Sequence, residues 1–349
     1  MFLPALGLAV VLLISAQGRA EQTAGSAGSG SATDAGSSAP AEPKASPPVK
    51  GPRPQKVYVG MYFKAVPWID LKSNTYLVDM YLWFRWNGDI DPTKNFELTN
   101  AVQSWDLLKT PVYEEPDTLD DGSRYQVFHV HGNFAHAFPL QKYPFDTQQI
   151  VVELEDSEYQ TTDLIYVDDS GNSGVHPEIA IPGWDIGAHE VVISAAKYGT
   201  NFGDPRVQSG GDVYSHYAFV LHVKRPTFGY LVKTVLPIAI VILITFVVFF
   251  IESKYFEGRL GLAITSLISA VALQLTAAAD LPSVGYMVLL DRIYNLSYAV
   301  IFLTLLESVI AVRLTDAGKE AQSKKLDRIS LITLAAVFFG GVTAVVLFR

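Results

Sequence analysis

Few side chains in this sequence stand where they could do chemistry. His129-Val130-His131 puts two imidazoles on one face of a strand, the beginning of a metal pair; with no further ligand at matching spacing, two surface histidines account for the same pattern. There is no cysteine, so there is neither a thiolate nucleophile nor a disulfide. No Gly-rich phosphate loop and no ligand-spaced metal cluster occurs. The reading is therefore against an enzyme, with no cofactor and no metal. What remains is a stripe at helical spacing, Gly261, Thr265, Ile268, Ala272, Leu275 and Ala279, small or polar at one end and apolar further on. Ser266, Ser269, Gln274 and Thr276 add polarity that a lipid-facing helix would avoid. Repeated around a symmetry axis, such a stripe could line a water-filled path, with Ile268 as a constriction that closes by dewetting. Equally, small residues let helices pack closely. Periodicity alone leaves both readings open.

The elements that would carry these residues fall into successive regimes. Residues 5–14 form a short apolar run followed by Gly18-Arg19-Ala20, so residues 1–20 read as a signal peptide, with an uncleaved anchor as the alternative because no Lys or Arg stands near Met1. Residues 21–56 are Ala, Gly, Ser and Pro with almost no large apolar group, too little to offset chain entropy, and read as a disordered linker. Residues 57–224 read as strands. Tyr76 to Trp86 is dense in aromatic and β-branched residues and ends at the turn Asn87-Gly88-Asp89, and similar runs recur between turn clusters such as Asp120-Asp121-Gly122-Ser123. Short strands at this spacing, with no long amphipathic helix between them, point to a β-sandwich.

From Arg225 the pattern changes to four membrane-length segments: Tyr230 to Ile251, Leu260 to Ala279, Met287 to Val312 and Ile329 to Phe348. The first has 22 residues, roughly 33 Å as a helix and enough to cross a bilayer. With the sandwich outside, four spans put the Arg313–Arg328 loop, rich in Arg and Lys, inside. Asp291, Arg292, Glu307 and Lys233 are placed near span ends, pairing across helices or snorkelling. Residues 57–224 carry 24 acidic against 10 basic side chains, a net charge of −14 in a chain of −9. That half faces water, attracts cations and repels nucleic acid.

Tyr143-Pro144-Phe145-Asp146-Thr147-Gln148 resembles the signature loop of the pentameric ligand-gated ion channels, the Cys-loop receptor superfamily. His136 and Ile150 stand where animal members have the bracketing cysteines, as in bacterial members that lack the disulfide. Trp86, Gly183-Trp184-Asp185-Ile186, Arg225 twelve residues before Pro237, and Leu281-Pro282 after the second span follow in the family's order. The resemblance covers about residues 57–349.

It implies an extracellular β-sandwich ligand-binding domain (57–224), a four-helix transmembrane pore domain (225–349), and five identical subunits in the inner membrane around one pore for inorganic ions. Membrane lipids would surround the helices, and a small-molecule agonist or protons would open the pore. Glu257, Gly261, Thr265, Ile268, Ala272, Leu275 and Ala279 would line it. Asp70, Phe145, Asp146 and Arg225 would couple the sandwich to the loop of Pro282, and a charge pair of Arg225 with Asp146 could change geometry between two states. Ligand contacts would come from Glu158, Tyr159, Tyr198 and Tyr214, with Tyr81 or Trp83 from the facing subunit; cation–π contact would hold an amine. A ring of five Glu257 would favour cations, yet Arg259-Leu260-Gly261-Leu262-Ala263-Ile264-Thr265 looks like the pore helix of anion-selective relatives. In many cation-selective members a basic residue here points away from the pore. Cation selectivity is the reading adopted, with anion selectivity or a non-conducting sensor as alternatives.

Overall fold

The computed structural model describes residues 53–102, 107–169, 171–200, 203, 213–279 and 281–347. The signal peptide, the linker as far as residue 52, and most of the Tyr198–Tyr214 loop lie outside the described residues. Among the described residues, twelve strands come first: β1 (Gln55–Ala65), β2 (Ile69–Asp70), β3 (Thr75–Trp86), β4 (Phe96–Leu98), β5 (Leu108–Pro111), β6 (Asp117–Thr118), β7 (Arg124–Ala135), β8 (Thr147–Asp156), β9 (Leu164–Asp168), β10 (Gly174–Val175), β11 (Asp185–Lys197) and β12 (Val213–Lys224). One sheet has the order β10-β1-β3-β7-β5, with β2, β6 and β9 attached at its margins. The other runs β11-β12-β8-β4. β1 takes in the last two residues of the predicted linker, because Gln55 and Lys56 pair with Leu164 and Ile165 of β9.

Alternation at period two makes the sandwich. Along β3, Tyr76, Val78, Met80, Leu82, Phe84 and Trp86 are buried, while the residues between them face outward half-covered. β7 repeats the pattern opposite β3, pairing Met80 with Val130 and Phe84 with Gln126. Phe63 of β1 meets Phe219 of β12 from the other sheet, with ring centroids 4.6 Å apart. These aromatics fill the space between the layers.

Four helices follow, Thr227–Phe250, Phe256–Ala278, Leu289–Asp316 and Glu320–Leu347, each long and apolar enough to span a membrane. They are called the first to fourth helix below. The second stops one residue short of Ala279. The interval Arg313–Arg328 is not a loop: only Ala317–Lys319 separate the third and fourth helices, with Gly318 at φ 73° closing the turn. Its Arg, Lys, Glu and Gln residues are good helix formers and extend both ends. The chain divides into two compact units at other points than residue 225. One unit is Arg53–Ala239 with Ala272–Asp291; the other is Ile240–Val271 and the chain from Arg292 on.

Candidate functional sites: two buried arginines and an exposed helix face

In the sandwich unit, the pairing of Lys224 with Thr147 lays the end of β12 beside the start of β8. Arg225 and Asp146 are the next residues beyond that pair, so register alone brings them together. Arg225 Nε donates to Asp146 Oδ1 at 2.7 Å, and both side chains are buried. Gln148, itself buried, donates to the other carboxylate oxygen. The guanidinium also lies in an aromatic cage, 4.1 Å from the ring centre of Trp184, 4.9 Å from Tyr143 and 5.1 Å from Tyr230. Its Nη1 donates to the Tyr230 hydroxyl at 3.1 Å. Three ring faces and one carboxylate replace the water that a buried cation gives up.

A cavity of about 520 Å³ opens beside this cage, lined by Trp68, Asp70, Lys72, Trp184, Arg225 and Tyr230 among others. Asp70 accepts from the Lys72 amide at 2.9 Å and the Ser73 hydroxyl at 2.6 Å, so it caps its own turn. The Ser73 bond leads in holding its carboxyl below the usual aspartate range. Phe145 is buried and Pro282 half-buried. The connection after the second helix is bonded through residues that sequence reasoning did not single out. Tyr286 accepts from the Leu140 amide at 3.1 Å, and the Leu289 amide donates to the Gln141 carbonyl at 3.0 Å.

The predicted ligand residues separate into groups. Tyr198 donates to Glu155 Oε2 at 2.7 Å and meets Tyr214 edge-on at 5.8 Å, while His216 Nδ1 lies 2.9 Å from Glu155 Oε1. Burial, and then the bond to Glu155, pushes the Tyr198 hydroxyl up to about 12. Glu158 is exposed and accepts from Asn95 at 2.6 Å, and Asp156 fixes the backbone of Glu158 and Tyr159. Tyr81 and Trp83 lie on the outer face of the other sheet, already engaged. Tyr81 packs on His129, and the Trp83 indole donates to Asp169 at 3.0 Å. His129 is bonded to Asp79 at 2.5 Å. Glu155 and His216 were missed by the sequence reading.

The second helix has two unlike faces. Glu257, Gly261, Thr265, Ile268, Ala272 and Leu275 are all exposed on a single subunit, as is Ala279 just beyond it, with Ile268 at 64% and Leu275 at 69%. The opposite face buries Arg259, Ala263, Ser266 and Ala270. Arg259 is fully buried. It grips Asp327 of the fourth helix with two bonds of 2.7 and 3.0 Å, and its Nε donates to the Ile251 carbonyl at 2.9 Å. Glu307 of the third helix approaches to 3.8 Å. Glu307, in the C-terminal half of its helix, is buried and approaches across helices as expected, because a cation on a neighbouring helix offsets its desolvation. Asp291 does sit in a first turn, where it accepts from the Val288 amide at 3.1 Å.

A two-sheet sandwich, four apolar helices and a loop–arginine pair where the strands end define a multi-pass membrane receptor with an extracellular N-terminal domain. The chain's curated relatives are ligand-gated ion channels and receptor subunits, not enzymes. It is 22% identical over 307 residues to the proton-gated ion channel of Gloeobacter violaceus, covering 84% of this chain and 82% of that one. It is 24% identical over 191 residues to the human gamma-aminobutyric acid receptor subunit rho-3, and 25% over 186 residues to the rat glycine receptor subunit beta. Those matches cover 55% and 53% of this chain but only 39% and 36% of the two receptor subunits. No family model matches the chain.

Proposed function

We propose that five copies of this chain form a homopentameric, cation-selective channel in the inner membrane, opened from the extracellular side by protons or a small molecule. The observation that carries selectivity is the contrast between Glu257 and Arg259. Glu257 stands on the exposed face of the second helix with the Gly261-to-Ala279 stripe, while Arg259 is turned into the protein and neutralised there. Five glutamates at one mouth would concentrate cations, and five guanidiniums beside them would not oppose it. Ile268 is the proposed constriction. Asp146 and Arg225 are the proposed coupling pair, with Asp70, Phe145, Tyr286 and the loop of Pro282 around it.

Two features support protons as a stimulus. One is the similarity to a proton-gated channel. The other is the cluster of Glu155, Asp156 and His216 in the extracellular half, where burial raises the Asp156 carboxyl above its ordinary range. A small amine could use the same acids with Tyr198 and Tyr214.

The test is voltage-clamp recording of the expressed chain under pH steps and small amines, with gradients that separate the cation and anion reversal potentials. Current reversing at the cation potential supports the reading, and Ile268→Ala should add a standing leak. Reversal at the anion potential overturns cation selectivity. Silence in both forms, with surface expression verified, overturns the channel itself.

A further inference from the structure

The cationic group closest in sequence to Glu257 is held out of the way by a residue 68 positions further along the chain. From this geometry we infer that Asp327, on the fourth helix, is a positioning residue for ion selectivity: it keeps the Arg259 guanidinium off the exposed face of the second helix. The inference rests on the cation-selective reading above.

Arg259 has a choice of environments. It lies two residues from Glu257 and two from Gly261, both exposed. A long arginine side chain at this position could reach the water on that face, where its charge would be solvated. It is instead fully buried, and burial of a guanidinium requires fixed acceptors. Asp327 supplies a planar, two-bond match to the fork, the geometry in which arginine binds a carboxylate best. The Ile251 carbonyl accepts from Nε but carries no charge. Glu307 sits at 3.8 Å with no comparable fork contact. Alongside, the Ser253 and Ser323 hydroxyls bond at 2.8 Å, and Ser323 donates to the Ala311 carbonyl at 3.0 Å, so the segment before the second helix is itself tied to the third and fourth helices.

Removing the Asp327 charge therefore leaves a buried arginine whose nearest remaining acid lies at the longer contact. Its cheaper state is a solvated one, beside Glu257. Five released guanidiniums would then offset five glutamates.

The experiment measures the cation-to-anion permeability ratio of the full-length channel from reversal potentials. Wild type sets the reference, and wild-type anion selectivity would defeat the underlying reading whatever Asp327 does. Asp327→Asn should lower the ratio several-fold, and Asp327→Glu should restore most of it. The double variant R259Q/D327N removes both members of the forked pair together, so no unpaired guanidinium is left, and it stays testable if Asp327→Asn alone does not reach the surface. It should return the wild-type ratio. A conducting Asp327→Asn channel with an unchanged ratio would overturn the inference. So would a double variant more cation-selective than wild type, since that would mean Arg259 already faces the ions. A merely structural Asp327 would alter expression and open probability but not the ratio.

Discussion

Arg225 and Arg259 are both buried, yet their surroundings differ in kind. Arg225 has one carboxylate on Nε, a tyrosine hydroxyl on Nη1, three aromatic faces, and a cavity of about 520 Å³ beside it. Arg259 has a two-bond carboxylate, a backbone carbonyl, a second acid at 3.8 Å and, among the described residues, no ring over it. Ring faces are broad attractors with weak directionality, so a guanidinium can slide across them at small cost. A forked carboxylate allows one geometry. The first arrangement suits a group proposed to move with gating. The second suits one that must not move.

The contrast can be broken by changes that treat the two sites alike. The largest effect belongs to the tighter pair. Asp327→Asn should lower the stability of the detergent-solubilised protein by about 3–5 kcal/mol, the usual cost of stranding one member of a buried ion pair. Asp146→Asn should cost less, because the cage still faces the cation. Thermal unfolding read on both variants ranks them, and an equal loss would remove the distinction between the sites. Replacing each arginine by lysine sharpens it further. Lysine keeps the charge and the ring attraction but not the fork. Arg259→Lys should therefore destabilise more than Arg225→Lys, and the reverse order would show that the rings, not the acids, hold these groups.

Trp184→Ala removes the closest ring of the Arg225 cage and should cost about 1–2 kcal/mol while changing the agonist or proton sensitivity of the current. A stability loss with unaltered gating would make the cage a fixture as well. The smallest effect is expected at Asp70, which only caps its own turn: Asp70→Asn should cost about 0.5–1 kcal/mol. Since its folded carboxyl titrates below the ordinary range, that contribution is present at neutral pH and fades as pH falls through the folded value. The variant and the parent should converge in stability in acid, below about pH 4.

Much of this was legible in the chain. Short aromatic and β-branched runs between turn clusters announced a sandwich, and apolar runs after Arg225 announced four spans, because a sheet strand and a bilayer crossing impose their composition and length on the sequence directly. The order of the loop motif, Arg225 and Pro237 pointed to the superfamily. The face division of the second helix was legible as a stripe, but its meaning was not, since close helix packing would leave the same pattern.

What the tertiary structure decided were the long-range partners. In the sequence Asp327 was not singled out and fell within the predicted Arg313–Arg328 loop, Glu307 read as an acid near a span end that pairs across helices or snorkels, and the run from Arg259 also looked like the pore helix of anion-selective relatives. The physical reason is that a desolvated charge is stabilised by whichever acceptor reaches it through space, and Asp327 reaches Arg259 across 68 residues and a different helix. Local periods record which face is buried; they do not record what meets it there.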